Sequence, residues 1–370
     1  MYDQLPLDGM PRRLYSCTPS RLNAWLDCRR RYRFTYLDRP QPSKGPAWAH
    51  NSVGASVHNA LAAWWREPYE RRTPLTAAVL LTKGWITEGF RDEAQSAHWL
   101  GRSRDLVSGY VATLDPSDDP VGVERTVATR TSVIAVSGRI DRLDRRGDEL
   151  VVVDYKTGRR PLSQDDARSS LALAIYAVAA SRMMRTPARA VELHHLPTGE
   201  IVQWRHTDES LGRHLRRAEE IGLEAADADE RYRAVMGEPT QPKRPRGKPR
   251  DNAAQSPQSP APGAQATGPG TYGAAQKSGS GTYAAAQETG SGTSGAVQEG
   301  ALGAQGSAAA GPAPERRDRP FVSPPRVPAE LDAVFAPNPG PICGWCDFRR
   351  HCPEGMTAAP EHRPWDALAE

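Results

Sequence analysis

The chain has 370 residues, 38% of them hydrophobic and 25% charged, with a formal net charge of +4 and an isoelectric point near 8.8. That is enough apolar content for one large core, and the mild basic excess is compatible with nucleic acid without requiring it. No stretch approaches the roughly 18 apolar residues of a membrane span, the N-terminus lacks an export pattern, and no G-x-x-x-x-G-K-[ST] phosphate loop occurs; a cytoplasmic protein without its own ATP-driven motor is expected.

In chain order, the first predicted helix covers 19–27, with Thr18 as N-cap and Pro19 at the first helical position. It runs into RRRYRFTYL, where Arg29, Arg30, Arg31 and Arg33 are interleaved with Tyr32, Phe34 and Tyr36. Arginines for phosphates and rings for bases would suit single-stranded or frayed DNA. Core aromatics under a solvated arginine face fit the same letters. A helix over 54–65, GASVHNALAAWW, puts His58, Leu61, Ala62 and Trp65 on one face; a lone histidine there is more often a core residue than a ligand. Helices over 75–91 and 97–114 follow. A strand over 121–129 contains Glu124, which either joins a site or is a surface charge. Strands over 132–143 and 149–156 precede a helix over 164–184 with Tyr176 near its middle, strands over 190–196 and 201–206, and a helix over 210–235. This succession predicts an α/β fold, a mixed sheet flanked by helices behind an N-terminal helical region.

The most informative segment is GRIDRLDRRGDELVVVDYKTG, residues 138–158. Gly147-Asp148 is a two-residue hairpin loop, and that register sets Asp141 opposite Asp154 and Arg139 opposite Lys156. Alternation then places Asp141, Asp154 and Lys156 on one face. Like charges across a pair repel, so the two aspartates are tolerable chiefly with a cation between them. The run 151–153 reads as a strand buried on both faces, where a free charge pair at its end is expensive. Lys156 is one of only six lysines in an arginine-rich chain. Magnesium or manganese suits carboxylate oxygens plus a substrate phosphate, and an ammonium group can hold water or developing negative charge. Solvated acids on an exposed hairpin are the plain alternative.

The order His58, Asp141, Asp154-x-Lys156, Tyr176 resembles the PD-(D/E)XK nuclease superfamily, specifically its RecB-like exonuclease branch, which includes the nuclease domains of AddB and the CRISPR adaptation nucleases. There a glycine-led helix carries the histidine, as Gly54 to His58 does here, GRIDRLD carries the first aspartate, and VVDYKTG the second aspartate and the lysine. The resemblance implies a restriction-endonuclease-like fold, metal ligation by His58, Asp141 and Asp154, catalysis assisted by Lys156, and Tyr176 lining the site or touching DNA. One departure is Ala172, where the family commonly has a glutamine four residues before the tyrosine.

Of five cysteines, Cys28 stands far from a C-terminal set, Cys343, Cys346 and Cys352, and the four suggest one shared centre, tetrahedral zinc or an iron-sulfur cluster. A distant cysteine plus a C-terminal triplet is similar to the 4Fe-4S staple of the AddB and CRISPR-associated nucleases. Disulfides are a further alternative, and Cys17 reads as a small buried hydrophobe.

From 237 to 320 the chain is rich in Pro, Gly, Ala, Ser and Gln and is expected to be a disordered insertion. Degenerate repeats start at Gly270, Gly281 and Gly292, and a basic run fills 242–250. The expected organisation is a nuclease domain over 1–236 (helical region about 15–115, core 120–236), the insertion, a cysteine segment over 321–358 that packs back on the N-terminus, and a tail over 359–370. The expected function is a magnesium- or manganese-dependent DNA exonuclease in repair or recombination, acting on single-stranded or end-containing DNA with any helicase supplied separately. A noncatalytic DNA-binding scaffold on the same fold and a zinc-stapled structural protein are the alternatives.

Overall fold

A computed structural model describes residues 14–237 and 321–368; the expected insertion, with its repeats and basic run, lies outside the described residues apart from its first residue. The chain divides into two units, 1–241 together with 320–370, and 242–319, and the described residues belong to the first. In chain order its elements are β1 (Tyr15–Cys17), α1 (Pro19–Asp27), α2 (Arg29–Tyr36), α3 (Ala49–Trp65), α4 (Pro74–Lys83), α5 (Glu93–Val111), β2 (Gly122–Arg130), β3 (Ile134–Arg146), β4 (Glu149–Lys156), α6 (Gln164–Ser169), α7 (Leu171–Met184), β5 (Ala190–His195), β6 (Glu200–Arg205), α8 (Asp208–Met236), α9 (Ala329–Val334) and α10 (Pro353–Ala358). Among the described residues no helix is long and apolar enough to cross a membrane.

The sheet is mixed, in the order β1-β3-β4-β5-β6, with β2 also on β3. Antiparallel β2 runs along one side of β3 from Gly122↔Leu143 to Arg130↔Ala135. The other side is shared: β1 pairs in parallel at 134–136, and β4 pairs antiparallel only from Arg142 onward. Between those partners, residues 137–141 have no strand on that flank. Their position fixes where the site can form.

Helices cover both faces. α7 and its neighbours bury Leu173, Ala174, Ala177 and Ala180 against Leu150, Val152, Val191 and Leu193. On the opposite face α3, α4 and α5 bury Val57, Leu61, Trp64, Leu81 and Val107 against Val151, Val153 and Tyr155. β4 is therefore apolar at successive positions because both of its faces meet helices, as the run 151–153 predicts. A third apolar cluster gathers α1, α2, α8 and α9 around Ile134 and Val136.

Several boundaries differ from the expectation. Cys28 ends α1 and caps α2, its sulfur accepting from Arg31 N–H at 3.5 Å, so RRRYRFTY is a helix of its own. The helix expected over 75–91 stops at Gly84. The one expected over 164–184 breaks at Ser170, whose hydroxyl accepts from Leu173 N–H at 3.3 Å and restarts the chain as α7. Strand β1 is too short for a hydrophobic period to reveal.

Candidate metal centre

β3 carries Asp141 to the point where its ladder with β4 ends. The register matches the one that Gly147-Asp148 implies, from Arg146↔Glu149 to Arg142↔Val153, with Gly147 at φ +60° in the loop. The next pair, Asp141 and Asp154, is not bridged. β4 stays with β5 as far as Lys156↔His195, while Asp141 Oδ2 accepts from the Tyr155 N–H at 2.9 Å. The expected opposition of Arg139 and Lys156 is lost at this parting; Arg139 Nε instead lies 2.7 Å from Glu124 Oε2.

α3 brings His58 to the same place, with Nδ1 3.3 Å from Asp141 Oδ1 and the ring edge-on to Tyr155 at 5.8 Å. Gly54, one turn before His58, faces the loop after β4 closely: a Cβ there would stand 3.3 Å from Thr157 Oγ1, one residue past Lys156. β2 contributes Glu124. The bridges Val123↔Arg142 and Arg125↔Ile140 leave it opposite Asp141 and unpaired, at φ 48°. Left-handed backbone at a residue with a side chain costs on the order of 1–3 kcal/mol, so surrounding structure must hold it. Ligand atoms of His58, Glu124 and Asp141 all lie within 4.8 Å of one another. Sequence left Glu124 evenly between surface and site; the structure places it in the cluster.

Asp154 stands beside this trio rather than inside it. Its buried Oδ2 lies 2.5 Å from Lys156 Nζ, an ion pair at the edge of the cluster. Burial raises the Asp154 pKa, Lys156 opposes that rise, and Asp141 adds to it. Burial likewise raises Glu124, countered by Arg139 and reinforced by Asp141. Burial alone would lower His58, but hydrogen bonding and attraction to Asp141, with Asp154 and Glu124 behind, push it above the usual imidazole value. Buried carboxyls resisting ionisation beside an imidazole that favours its cation mark a concentration of negative charge, and three carboxylates with one imidazole are a donor set that fits a divalent cation.

α7 places Tyr176 over Gly138, where any Cβ would meet its Cε1 at 2.4 Å. Burial raises the phenol, with Asp154 and Asp141 adding to the rise. Ala172 is half-buried in the first turn of the same helix.

Behind the acids lies a polar network that the sequence does not reveal. The Tyr155 hydroxyl accepts from Trp65 Nε1 at 3.2 Å and from Arg142 Nη1 at 3.4 Å. The Arg142 side chain is 4% exposed and is also held by Tyr110 and Asp144. Arg142 lies between Asp141 and Leu143 in a strand rich in charge, so its burial is not marked in the sequence; such a group is retained inside only with partners.

A cleft of about 1060 Å³ opens from the acids, walled by α3, α5, the loop after β4 and the C-terminal turn at Ala367 and Leu368.

The basic-aromatic helix resolves mostly toward core. Arg30 sits between Asp332 at 2.6 Å and Glu354 at 2.8 Å, and Arg33 on Asp332 at 2.9 Å, both buried, so neither presents to a phosphate as expected. Tyr32 and Phe34 are buried too. Arg29 and Arg31 remain at the surface in pairs with Glu224 and Asp27. Cys28, Cys343, Cys346 and Cys352 line one small cavity, with Gly355 close against the sulfurs of Cys343 and Cys352. All five cysteines are unpaired. Burial pushes the Cys346 and Cys352 thiols up, and Cys17, an enclosed thiol as expected, up to about 11.

The sequence model of the PD-(D/E)XK nuclease superfamily matches residues 16–255. Among solved structures the chain is similar to a candidate exonuclease from Eubacterium rectale, at 10% identity and a TM-score of 0.26, over 50% of this chain and 85% of that one. No curated protein matches the sequence.

Proposed function

As the chain belongs to the PD-(D/E)XK nuclease superfamily, we propose that it is a magnesium- or manganese-dependent deoxyribonuclease of the RecB-like exonuclease kind, hydrolysing DNA from its ends in repair or recombination. The observation that carries this reading is the convergence of His58, Glu124 and Asp141 within 4.8 Å, beside Asp154 and Lys156, where β3 and β4 part. A divalent cation held there would polarise the scissile phosphate and activate water for in-line attack. Asp141, Glu124 and Asp154 supply oxygen ligands and His58 a nitrogen; an imidazole in the set favours manganese over magnesium. Lys156, beside Asp154, is placed to orient water or meet charge developing on the phosphate. Tyr176 fixes the wall above Gly138.

Cys28, Cys343, Cys346 and Cys352 would hold a 4Fe-4S cluster with a structural role, tying α1 and α2 to the C-terminal segment. What supports it over zinc is spacing. One distant cysteine joins a C-terminal triplet, whereas zinc ribbons usually show two close pairs, and all four thiols line one cavity.

The test is digestion of end-labelled single- and double-stranded DNA with manganese, magnesium or chelator, using Asp154→Ala as control. Metal-dependent release from labelled ends supports the reading; cleavage that survives Asp154→Ala, or none by the wild-type protein, overturns it. Ala172 in place of the family glutamine favours a second reading, a noncatalytic DNA-binding scaffold. Metal-independent DNA binding without turnover would identify it.

A further inference from the structure

The cleft has a second functional feature on its α5 wall. Trp99, Arg102, Ser103, Leu106 and Tyr110 recur at helical spacing and all line the cleft. Trp99 is anchored: its Nε1 donates to the Leu368 carbonyl at 3.2 Å, and its ring packs with Ala49, Val53 and Leu368. Two guanidinium groups rest on this one indole, Arg102 at 4.9 Å and Arg159 at 5.5 Å from the ring centroid. They come from different elements, α5 and the loop that follows Lys156. Each cation gains from the ring, but the two repel one another. Arg102 is exposed and makes no ion pair among the described residues; Asp105, on the same helix face, does not pair with it. Arg102, unpaired and held on a fixed ring in the wall of a cleft with acids at its end, is placed to receive an anion, with Arg159 on the same ring adding to the positive field.

We propose that Trp99, Arg102 and Arg159 form a strand-guiding subsite that binds backbone phosphates of single-stranded DNA beside the scissile one. The assignment rests on the nuclease reading and narrows its substrate. Arg159 is three residues past Lys156, so their Cα atoms are within about 11 Å, close enough for both to serve neighbouring phosphates of one strand. Single strand is favoured over duplex by access. The side chains of Asp141 and Glu124 are only 16% and 14% exposed, so a phosphate must be carried into the cleft. An unpaired strand can bend inward; a duplex with a persistence length of about 50 nm cannot without fraying.

The test is fluorescence anisotropy of the full chain in chelator with a labelled single-stranded oligodeoxynucleotide and its blunt duplex, over a salt series. Arg102→Gln should weaken single-strand binding about tenfold and flatten the dependence of log K on log salt by about 0.7; Arg102→Gln with Arg159→Gln should flatten it by about twice that. Arg102→Lys should recover part of the affinity, and duplex binding should barely change. Unaltered single-strand affinity and salt slope in the double variant, or an equal loss on duplex, overturns the subsite. Binding is read without metal, so absence of cleavage by the wild-type protein would count against the nuclease reading and leave this result standing on its own.

Discussion

The backbone N–H of Tyr155 donates to Oδ2 of Asp141 at 2.9 Å. The residue between Asp154 and Lys156 thus orients the acid on the neighbouring strand, and the motif positions all three groups together. Its side chain is fixed in turn by Trp65 and Arg142.

Charge removal at the centre should separate activity from folding. Asp141→Ala, Asp154→Ala and Lys156→Ala should each lower the rate of DNA hydrolysis by on the order of a thousandfold or more, since each removes stabilisation of developing charge. Glu124→Gln should fall less, as His58 and Asp141 remain. Single-turnover assays in manganese, beside circular dichroism of each variant, check both halves.

Without metal, the acids should cost stability. Burial raises the Asp154 pKa, so ionising it at neutral pH works against the folded state. Asp154→Asn should therefore raise the melting temperature of chelated protein and abolish most of the further rise that manganese gives the wild type. Calorimetry with and without manganese checks this, and a lower melting point in chelator would count against it.

Mild acid should destabilise the fold through groups away from the centre. His206 is buried and its pKa is lowered to about 4, mainly by burial with His214 adding. The unfolded chain binds a proton near the ordinary value of 6.5 and the folded chain does not, so this contribution is present above that value and fades as pH falls toward 4. Glu192 follows at lower pH: burial opposes its ionisation, but His194 and Arg146 prevail and bring it to about 2. Its contribution is present above about 4.5 and is lost as pH falls toward 2. Melting temperatures measured from pH 7 to pH 3.5 should decline first between 6.5 and 4, and His206→Asn should blunt that first part.

Gly138→Ala should act on the site through Tyr176. The added methyl would lie 2.4 Å from the ring and force it aside. Hydrolysis should drop at least tenfold, and overpacking should cost about 1–3 kcal/mol in denaturant unfolding. Combining it with Tyr176→Ala should cost no more stability than Tyr176→Ala alone, since the clash is then gone, while activity stays low.

Cysteine replacement should distinguish the four clustered thiols from the fifth. Cys28→Ser, Cys343→Ser, Cys346→Ser or Cys352→Ser should remove visible absorbance from anaerobically purified protein and lower its melting temperature; Cys17→Ser should keep the absorbance. A colourless wild-type protein containing stoichiometric zinc would replace the cluster with zinc.

Much of the site is readable from local sequence because the hairpin loop and alternation of β4 are local. Gly147-Asp148 sets the register, and VVV before Asp154 marks a strand covered on both faces. The parting of Asp141 from Asp154 is not readable, because it depends on β4 remaining with β5, a partner reached only after α6 and α7. Glu124 depends on the β2–β3 register, which no recognised loop motif specifies. The arginines of α2 mislead for a similar reason: the carboxylates that take Arg30 and Arg33 inward, Asp332 and Glu354, lie at the other end of the chain. A local charge pattern cannot show that its counterions arrive from so far away.

Extending the antiparallel pairing of β4 along β3 past Arg142 would look like an improvement to a designer seeking thermostability, because it would add ladder bonds at 137–141. It would also draw Asp141 and Asp154 into contact and erase the space a cation and a phosphate need. Sheet continuity and chemistry compete for the same few positions, and this chain leaves the seam open.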